Sequence, residues 1–161
     1  MIYTKTIETP LGVHLAQSDG ERLTLFTLPG DYKTAVSDIA VFSLVEEYFR
    51  QYFSGRVPDV VVPVDLSSVT PFCREVLTVV SRIPYGSVMT YGDIASVIGS
   101  RRGSKVAAQA VGGAVKRNPA AIIIPCHRVV ASNGPGGYFG KEEIKRFLLG
   151  FEAGNISDKH I

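Results

Sequence analysis

The sequence predicts an α+β protein. A small N-terminal sheet-plus-helix domain covers residues 1–68, a mostly helical C-terminal domain covers 69–152, and residues 153–161 form a tail whose last two residues, with His160, are disordered. Three observations predict this division. Apolar and polar residues alternate in short runs before residue 30, helical spacing dominates after Thr70, and charge separates between the halves. Residues 1–68 carry five Lys/Arg against nine Asp/Glu, and residues 69–161 carry twelve against six. A length of 161 residues, with 45% hydrophobic and 20% charged, suits one ordinary domain or two small ones and excludes a disordered or fibrous chain. The longest aliphatic run, Ala120–Ile124, falls far short of the roughly 20 residues of a membrane span. The first residues lack a secretory apolar stretch, so no membrane partner and a cytoplasmic location are expected.

In the first half, alternation marks strands near Ile2–Glu8, Val13–Gln17 and Leu23–Leu28, with Asp19-Gly20 as a turn that tolerates positive φ. Val36, Ile39, Phe42, Val45 and Phe49, spaced by three and four, predict a helix that stops near Phe53 at Ser54-Gly55. Val60–Val64 reads as a short strand that Pro63 confines to an edge. His14, alternating with apolar neighbours, reads as a structural strand residue.

In the second half, Thr70-Pro71 supplies an N-cap and a first-turn proline for a helix to about Arg82, burying Phe72, Val76, Val79 and Val80. Pro84-Tyr85-Gly86 breaks it. Thr90 and Asp93 form a start signal for a short helix through Ile98, and Gly99–Gly103 reads as a basic loop. A third helix opens at Ser104 and ends at Asn118-Pro119. This is the outline of a helix-turn-helix, with a loop longer than the usual three or four residues.

Gly99 to Arg128 holds six basic residues and no acid. Such a run suits a polyanionic partner, although a solvated basic face has the same composition. Ala107, Ala108, Ala110, Gly112, Gly113 and Ala114 leave one side of the third helix almost without side chains. Glycine in a helix interior costs about 1 kcal/mol relative to alanine. Close approach of another backbone explains the composition, either within the protein or in a nucleic-acid groove with Lys105, Lys116 and Arg117 on phosphates.

Cys73 and Cys126 show no C-x-x-C pattern, and no His pair has zinc spacing. Free thiols in a reducing compartment are therefore expected, with no disulfide framework, no metal site and no cofactor. Cys126 follows an aliphatic run and Pro125, and His127 and Arg128 come next. A free cysteine behind such a run is often an inert buried group. However, imidazole and guanidinium neighbours are out of place in an apolar core, and both favour a thiolate. On an extended chain neighbours point apart, so His127 reaches the sulfur through water. Cys73, among apolar helix positions, reads as the inert thiol. Asn133–Gly140 packs four glycines and two aromatics into eight residues, a loop suited to closing over a planar ligand. A helix over Lys141–Leu149 leaves Glu152 just beyond it, where a carboxylate can orient His127.

Pro125-Cys126-His127-Arg128-Val129, with Asn118-Pro119 and Ala110-Val111-Gly112-Gly113-Ala114 before it, closely resembles the O6-alkylguanine-DNA alkyltransferases. The resemblance runs from Thr70 to about Glu152. It implies a winged-helix-like helix-turn-helix that binds the minor groove of double-stranded DNA as a monomer, in the cytoplasm or on the nucleoid. An O6-alkylguanine would be rotated into a pocket, and Cys126 would take the alkyl group irreversibly, so that each molecule acts once. Cys126 would be a thiolate nucleophile, His127 the base through water with Glu152 behind it, and Asn118 a hinge across the cysteine turn. Tyr91 would help rotate the nucleotide and offset charge on the leaving guanine. The carbonyls of Cys126 and Val129 would accept from the guanine amino group. Tyr138 and Gly140 would line the pocket, and the Phe139 amide would donate to O6. Gln109, Ala110, Gly112, Gly113 and Ser132 would meet the DNA, with Arg101, Arg102, Lys105, Lys116 and Arg117 supplying charge. Arg128 would brace the fold.

Three positions depart from the family pattern. Gln109 stands where an arginine usually fills the gap left by the flipped base, which predicts weaker or more salt-tolerant binding, or compensation by Arg101, Arg102 or Lys105. The inter-helix loop is longer by about four residues, and Phe139 replaces a small residue. Competing readings are a non-catalytic lesion binder, an alkylation-sensing regulator and a cysteine hydrolase. The binders typically carry tryptophan at the cysteine position, and this chain has no Trp. No dimerisation heptad supports a regulator, and no distant catalytic histidine supports a hydrolase.

Overall fold

The structure is a computed structural model and describes residues 1–158; His160 lies outside the described residues. The chain divides into two units. The first comprises Met1–Ser68 with Pro119–Ile123, and the second Val69–Asn118 with the chain from Ile124 onward. Five residues of the second half therefore belong with the first, which a single boundary near residue 68 does not capture.

In the first unit, β1 (Tyr3–Thr9), β2 (Gly12–Ser18) and β3 (Leu23–Phe26) form an antiparallel sheet in that order. Gly20 takes φ 110 in the turn between β2 and β3, where the Asp19 carboxylate accepts from the Glu21 and Arg22 amides, each at 2.9 Å. Helix α1 (Ala40–Phe53) buries Phe42, Val45 and Phe49. His14 is a core residue. It stacks on Phe26 at 4.8 Å and bonds through its two nitrogens to the Thr9 hydroxyl and the Thr27 carbonyl.

Helix α1 starts later than its apolar spacing predicts. The preceding backbone pairs with β1 instead: the Thr6 amide donates to Ala35 and the Ser37 amide to Thr4, which leaves Val36 outside the helix and exposed. Val60–Val64 makes only a bridge from Val64 to Leu23, since Pro63 has no N–H to extend a ladder. Ala120–Ile124 also forms no strand. Ala121 donates to Phe26, and the chain then turns through Ile122 at φ 70, a conformation uncommon for a β-branched residue.

In the second unit, α2 (Pro71–Val80), α3 (Tyr91–Arg102) and α4 (Ala108–Val115) pack on one another. Thr70 caps α2 by accepting from the Cys73 amide at 3.2 Å, and Phe72 is only half-buried. Thr90 and Asp93 complete a capping box on α3. That helix runs a turn past Ile98 to Arg102 and ends at Gly103 with φ 68. Gly99 is thus helical, and its role is close approach: a Cβ there would lie 2.7 Å from the Ser104 carbonyl oxygen. The link between the helices is Gly103–Ala107, so α4 opens at Ala108 rather than Ser104.

Strands β4 (Met89–Thr90) and β5 (Val129–Val130) pair in parallel, Met89 with Val129 and Thr90 with Val130. This pairing sets the start of α3 beside the chain leaving the cysteine turn. Helix α5 (Glu142–Asp158) is longer than Lys141–Leu149, so Glu152 lies within it and residues 153–158 are helical rather than a tail. Among the described residues no helix is long and apolar enough to cross a membrane.

Candidate active site

Pro125 leads into a single 3-10 turn, Cys126–Arg128, so the three residues are not the extended neighbours that their sequence suggests. Asn118 holds the turn from across the chain, its Nδ2 donating to the Ile124 carbonyl at 2.9 Å. Cys126 is 1% exposed, with Asn118, Lys145, Tyr91 and Tyr138 as its polar company. Burial pushes its thiol up, while the Asn118 hydrogen bond and the Lys145 charge pull the other way without prevailing. The resting group is a thiol and not the anion expected from its two neighbours. The Arg128 guanidinium does not serve the sulfur. It donates to Glu152 from Nε at 2.8 Å and from a terminal nitrogen at 3.2 Å, and to the Ile83 carbonyl at 2.8 Å.

Glu152 is 1% exposed, and its carboxylate accepts from His127 Nε2 at 2.5 Å, from Arg128 and from the Gly86 amide at 3.0 Å. Burial alone would raise its pKa. The His127 hydrogen bond, with the hydrogen bond and charge of Arg128, outweighs that and holds it at about 2. Burial lowers the pKa of His127, more than Glu152 raises it. An ionised carboxylate only accepts, so a neutral His127 carries its proton on Nε2 and presents Nδ1 as a base. Nδ1 is buried with no hydrogen-bond partner among the described residues. Arg128 balances the Glu152 charge, which lets the imidazole stay neutral.

Two contributors escaped the sequence reading. Lys145 is fully buried and donates to the carbonyls of Val129 at 2.7 Å and Gly137 at 3.0 Å. Burial lowers its pKa while Cys126 opposes the shift. The signal was its spacing with Leu148 and Glu152, which places a lysine on the inward face of a helix. Gly86, read only as a breaker, takes φ 82, and a Cβ there would lie 2.4 Å from Ile156. No side chain fits where its amide meets Glu152.

A cavity of about 800 Å³ opens between α4 and the Gly136–Gly140 loop. Tyr91, Gln109, Gly112, Gly113, Tyr138 and Phe139 line it, with Gly140 and Lys116 at its edge. Cys126 does not line it. Tyr91 and Tyr138 do, and the nearby thiol helps burial raise the pKa of both phenols. The Tyr138 hydroxyl is buried without a hydrogen-bond partner among the described residues. A Cβ at Gly112 would only touch Tyr91 at 3.9 Å, and one at Gly113 would meet nothing within 4 Å. Tight packing inside the protein therefore does not explain Gly113.

Arg101, Lys105, Ala110, Lys116, Arg117 and Ser132 are exposed. Arg102 is engaged, paired with Glu75 at 2.6 Å and lying 5.1 Å over the Phe72 ring. The Cys73 thiol donates to the Ala114 carbonyl at 3.3 Å, and burial raises its pKa, which fits an inert role. Among the described residues no group of His, Cys, Asp or Glu could hold a metal ion.

Residues 71–154 match the family described as 6-O-methylguanine DNA methyltransferase, DNA binding domain. The constitutive methylated-DNA–protein-cysteine methyltransferase of Bacillus subtilis is 35% identical, with 99% of this chain and 100% of that protein covered. The Methanosarcina acetivorans methylated-DNA–protein-cysteine methyltransferase is 38% identical over 94% and 98% of the two chains. Among solved structures, Mycobacterium tuberculosis OGT in complex with DNA superposes with a TM-score of 0.80 at 33% identity, covering 95% of this chain and 94% of that one. The cysteine turn, its buried His–Glu–Arg cluster and these matches lead to one conclusion: the chain belongs to the methylated-DNA–protein-cysteine methyltransferase family.

Proposed function

We propose that the chain repairs DNA by direct reversal, with Cys126 accepting an alkyl group from O6 of a guanine rotated out of the duplex. The observation that carries this reading is the buried thiol beside a neutral His127 whose free Nδ1 faces no other partner and whose Nε2 is fixed by Glu152. One water molecule between Nδ1 and the sulfur would complete the proton path. The sulfur attacks the alkyl carbon, an S–C bond forms and the C–O6 bond breaks with its electron pair left on guanine. The thiol proton passes to His127, and the Tyr91 phenol supplies a proton to the departing base. The His127 proton then returns to the Tyr91 phenolate through solvent, so the net change is one proton moved from sulfur to guanine. The thioether has no good leaving group, so the reaction stops after one transfer.

Keeping Cys126 as a thiol protects it until a base arrives, since the thiolate is the reactive form. Access requires Tyr138 and the Gly136–Gly140 loop to shift, and binding of the rotated base supplies that displacement. The Val129 carbonyl has a second lone pair beside its bond to Lys145, with which to accept from the guanine amino group. The exposed, nearly bare face of α4 (Ala108, Ala110, Gly113) suits a narrow minor groove, with Arg101, Lys105, Lys116 and Arg117 on phosphates. Arg102 joins them only by leaving Glu75. Binding as a monomer, in the cytoplasm or on the nucleoid, belongs to this reading.

Transfer of labelled methyl from a duplex containing O6-methylguanine tests it. Cys126→Ala should abolish labelling and Cys73→Ala should leave it intact. Label retained by the Cys126 variant overturns the assignment.

A further inference from the structure

Phe139 is disfavoured twice over where it stands. Its φ is 51, in the left-handed region where a bulky side chain is rarely found, and 43% of its surface is exposed. A glycine or a small polar residue would remove both penalties, so the ring calls for a reason. The loop around it is open: a Cβ added at Gly137 or Gly140 would meet nothing within 4 Å. The ring instead lines the cavity and tilts against Tyr138, with centroids 5.2 Å apart and planes at 58°. With it in place the cavity still measures about 800 Å³, in the range that holds a flat ligand of two or three rings. The ring is a wall of the cavity and not a plug.

We propose that Phe139 is a specificity-determining residue whose ring favours guanines bearing a flat arylmethyl group on O6 over those bearing methyl. The proposal rests on the repair reading above, with the rotated guanine entering the cavity that Phe139 lines, so that its O6 substituent comes within reach of the ring. Aromatic rings stack favourably at centroid separations of about 4.5–7 Å, and a methyl group offers no ring to stack. The chemistry is otherwise unchanged. The S–CH2 bond forms, the CH2–O6 bond breaks with its pair on oxygen, and the thiol proton ends on guanine.

Transfer rates from duplexes containing O6-benzylguanine and O6-methylguanine, measured for the unsubstituted chain and for Phe139→Gly, Phe139→Leu and Phe139→Tyr, test it. The benzyl-to-methyl rate ratio should fall about tenfold in the glycine and leucine variants, within the range of one aromatic pair, and recover in the tyrosine variant. An equal loss on both substrates marks a merely structural loop residue and overturns the proposal, as does a ratio that rises on removing the ring. If the unsubstituted chain transfers neither group, the repair reading itself fails. If it transfers both and the ratio ignores the ring, only this inference fails.

Discussion

Cys126, His127, Arg128 and Glu152 work as one unit, and their charges explain the resting state. Arg128 and Glu152 neutralise each other in a buried setting, so His127, bonded to the same carboxylate, stays uncharged and able to accept a proton at Nδ1. The arrangement makes stability fall on acidification. His127 has its folded pKa below the ordinary 6.5, so the unfolded chain takes up that proton first and stability declines from about pH 6.5 downward. Glu152 has its folded pKa depressed to about 2 from 4.5, so its contribution is present above pH 4.5 and is lost as pH falls toward 2. That second loss is on the order of 3 kcal/mol. Denaturant unfolding across this range should show the decline. Glu152→Gln should remove its steepest part and cost about 3–5 kcal/mol at neutral pH, because Arg128 is left buried without its anion. A profile that Glu152→Gln leaves unchanged would contradict the charge assignment.

Much of this was legible in the residues. Pro125-Cys126-His127-Arg128 marked the turn on which the proposed chemistry is placed, and Thr90 with Asp93 marked the start of α3, because capping is local chemistry written in adjacent positions. Lys145 was legible only as an inward-facing helix position, since nothing nearby in sequence announces the carbonyls of Val129 and Gly137 that it bonds. The thiol's protonation state was misjudged for a related reason. Neighbours in sequence suggested a stabilised anion, whereas burial by distant residues decides it.

At the scale of elements, the boundaries moved where tertiary contacts overrode local pattern. Gly99-Ser100-Arg101-Arg102 looks like a loop by composition, yet the Ser104 backbone folded over Gly99 keeps those residues helical. The run Ala120–Ile124 has the composition of a strand, yet it makes an isolated bridge from Ala120 to Phe26 and then turns at Ile122. The parallel pairing of β4 with β5 could not be read from two-residue strands, although it is what brings Tyr91 toward the cysteine turn. Helix α4 presents a short, smooth, exposed surface in which Gln109 is the longest side chain facing the cavity apart from Lys116. A neutral side chain at that position adds no counterion release on binding. Gln109→Arg should therefore tighten DNA binding and steepen the dependence of log affinity on log salt by about one unit. Affinity and salt slope both unchanged would show that α4 does not enter the DNA interface.

For the whole molecule, basic character concentrates in the second half while the acidic first half holds a sheet, a helix and a core histidine with no cluster resembling a reactive site. Chemistry and charge therefore reside together in the second unit, where the cavity, the cysteine turn and α4 all lie. The most direct measurement is the intact mass of the protein after incubation with excess duplex containing O6-methylguanine, followed by peptide mapping. A gain of a single methyl group per chain, located on Cys126 and not increasing with time or added DNA, is the predicted result. An unchanged mass with continued loss of the lesion, or a methyl group found on Cys73, would contradict it.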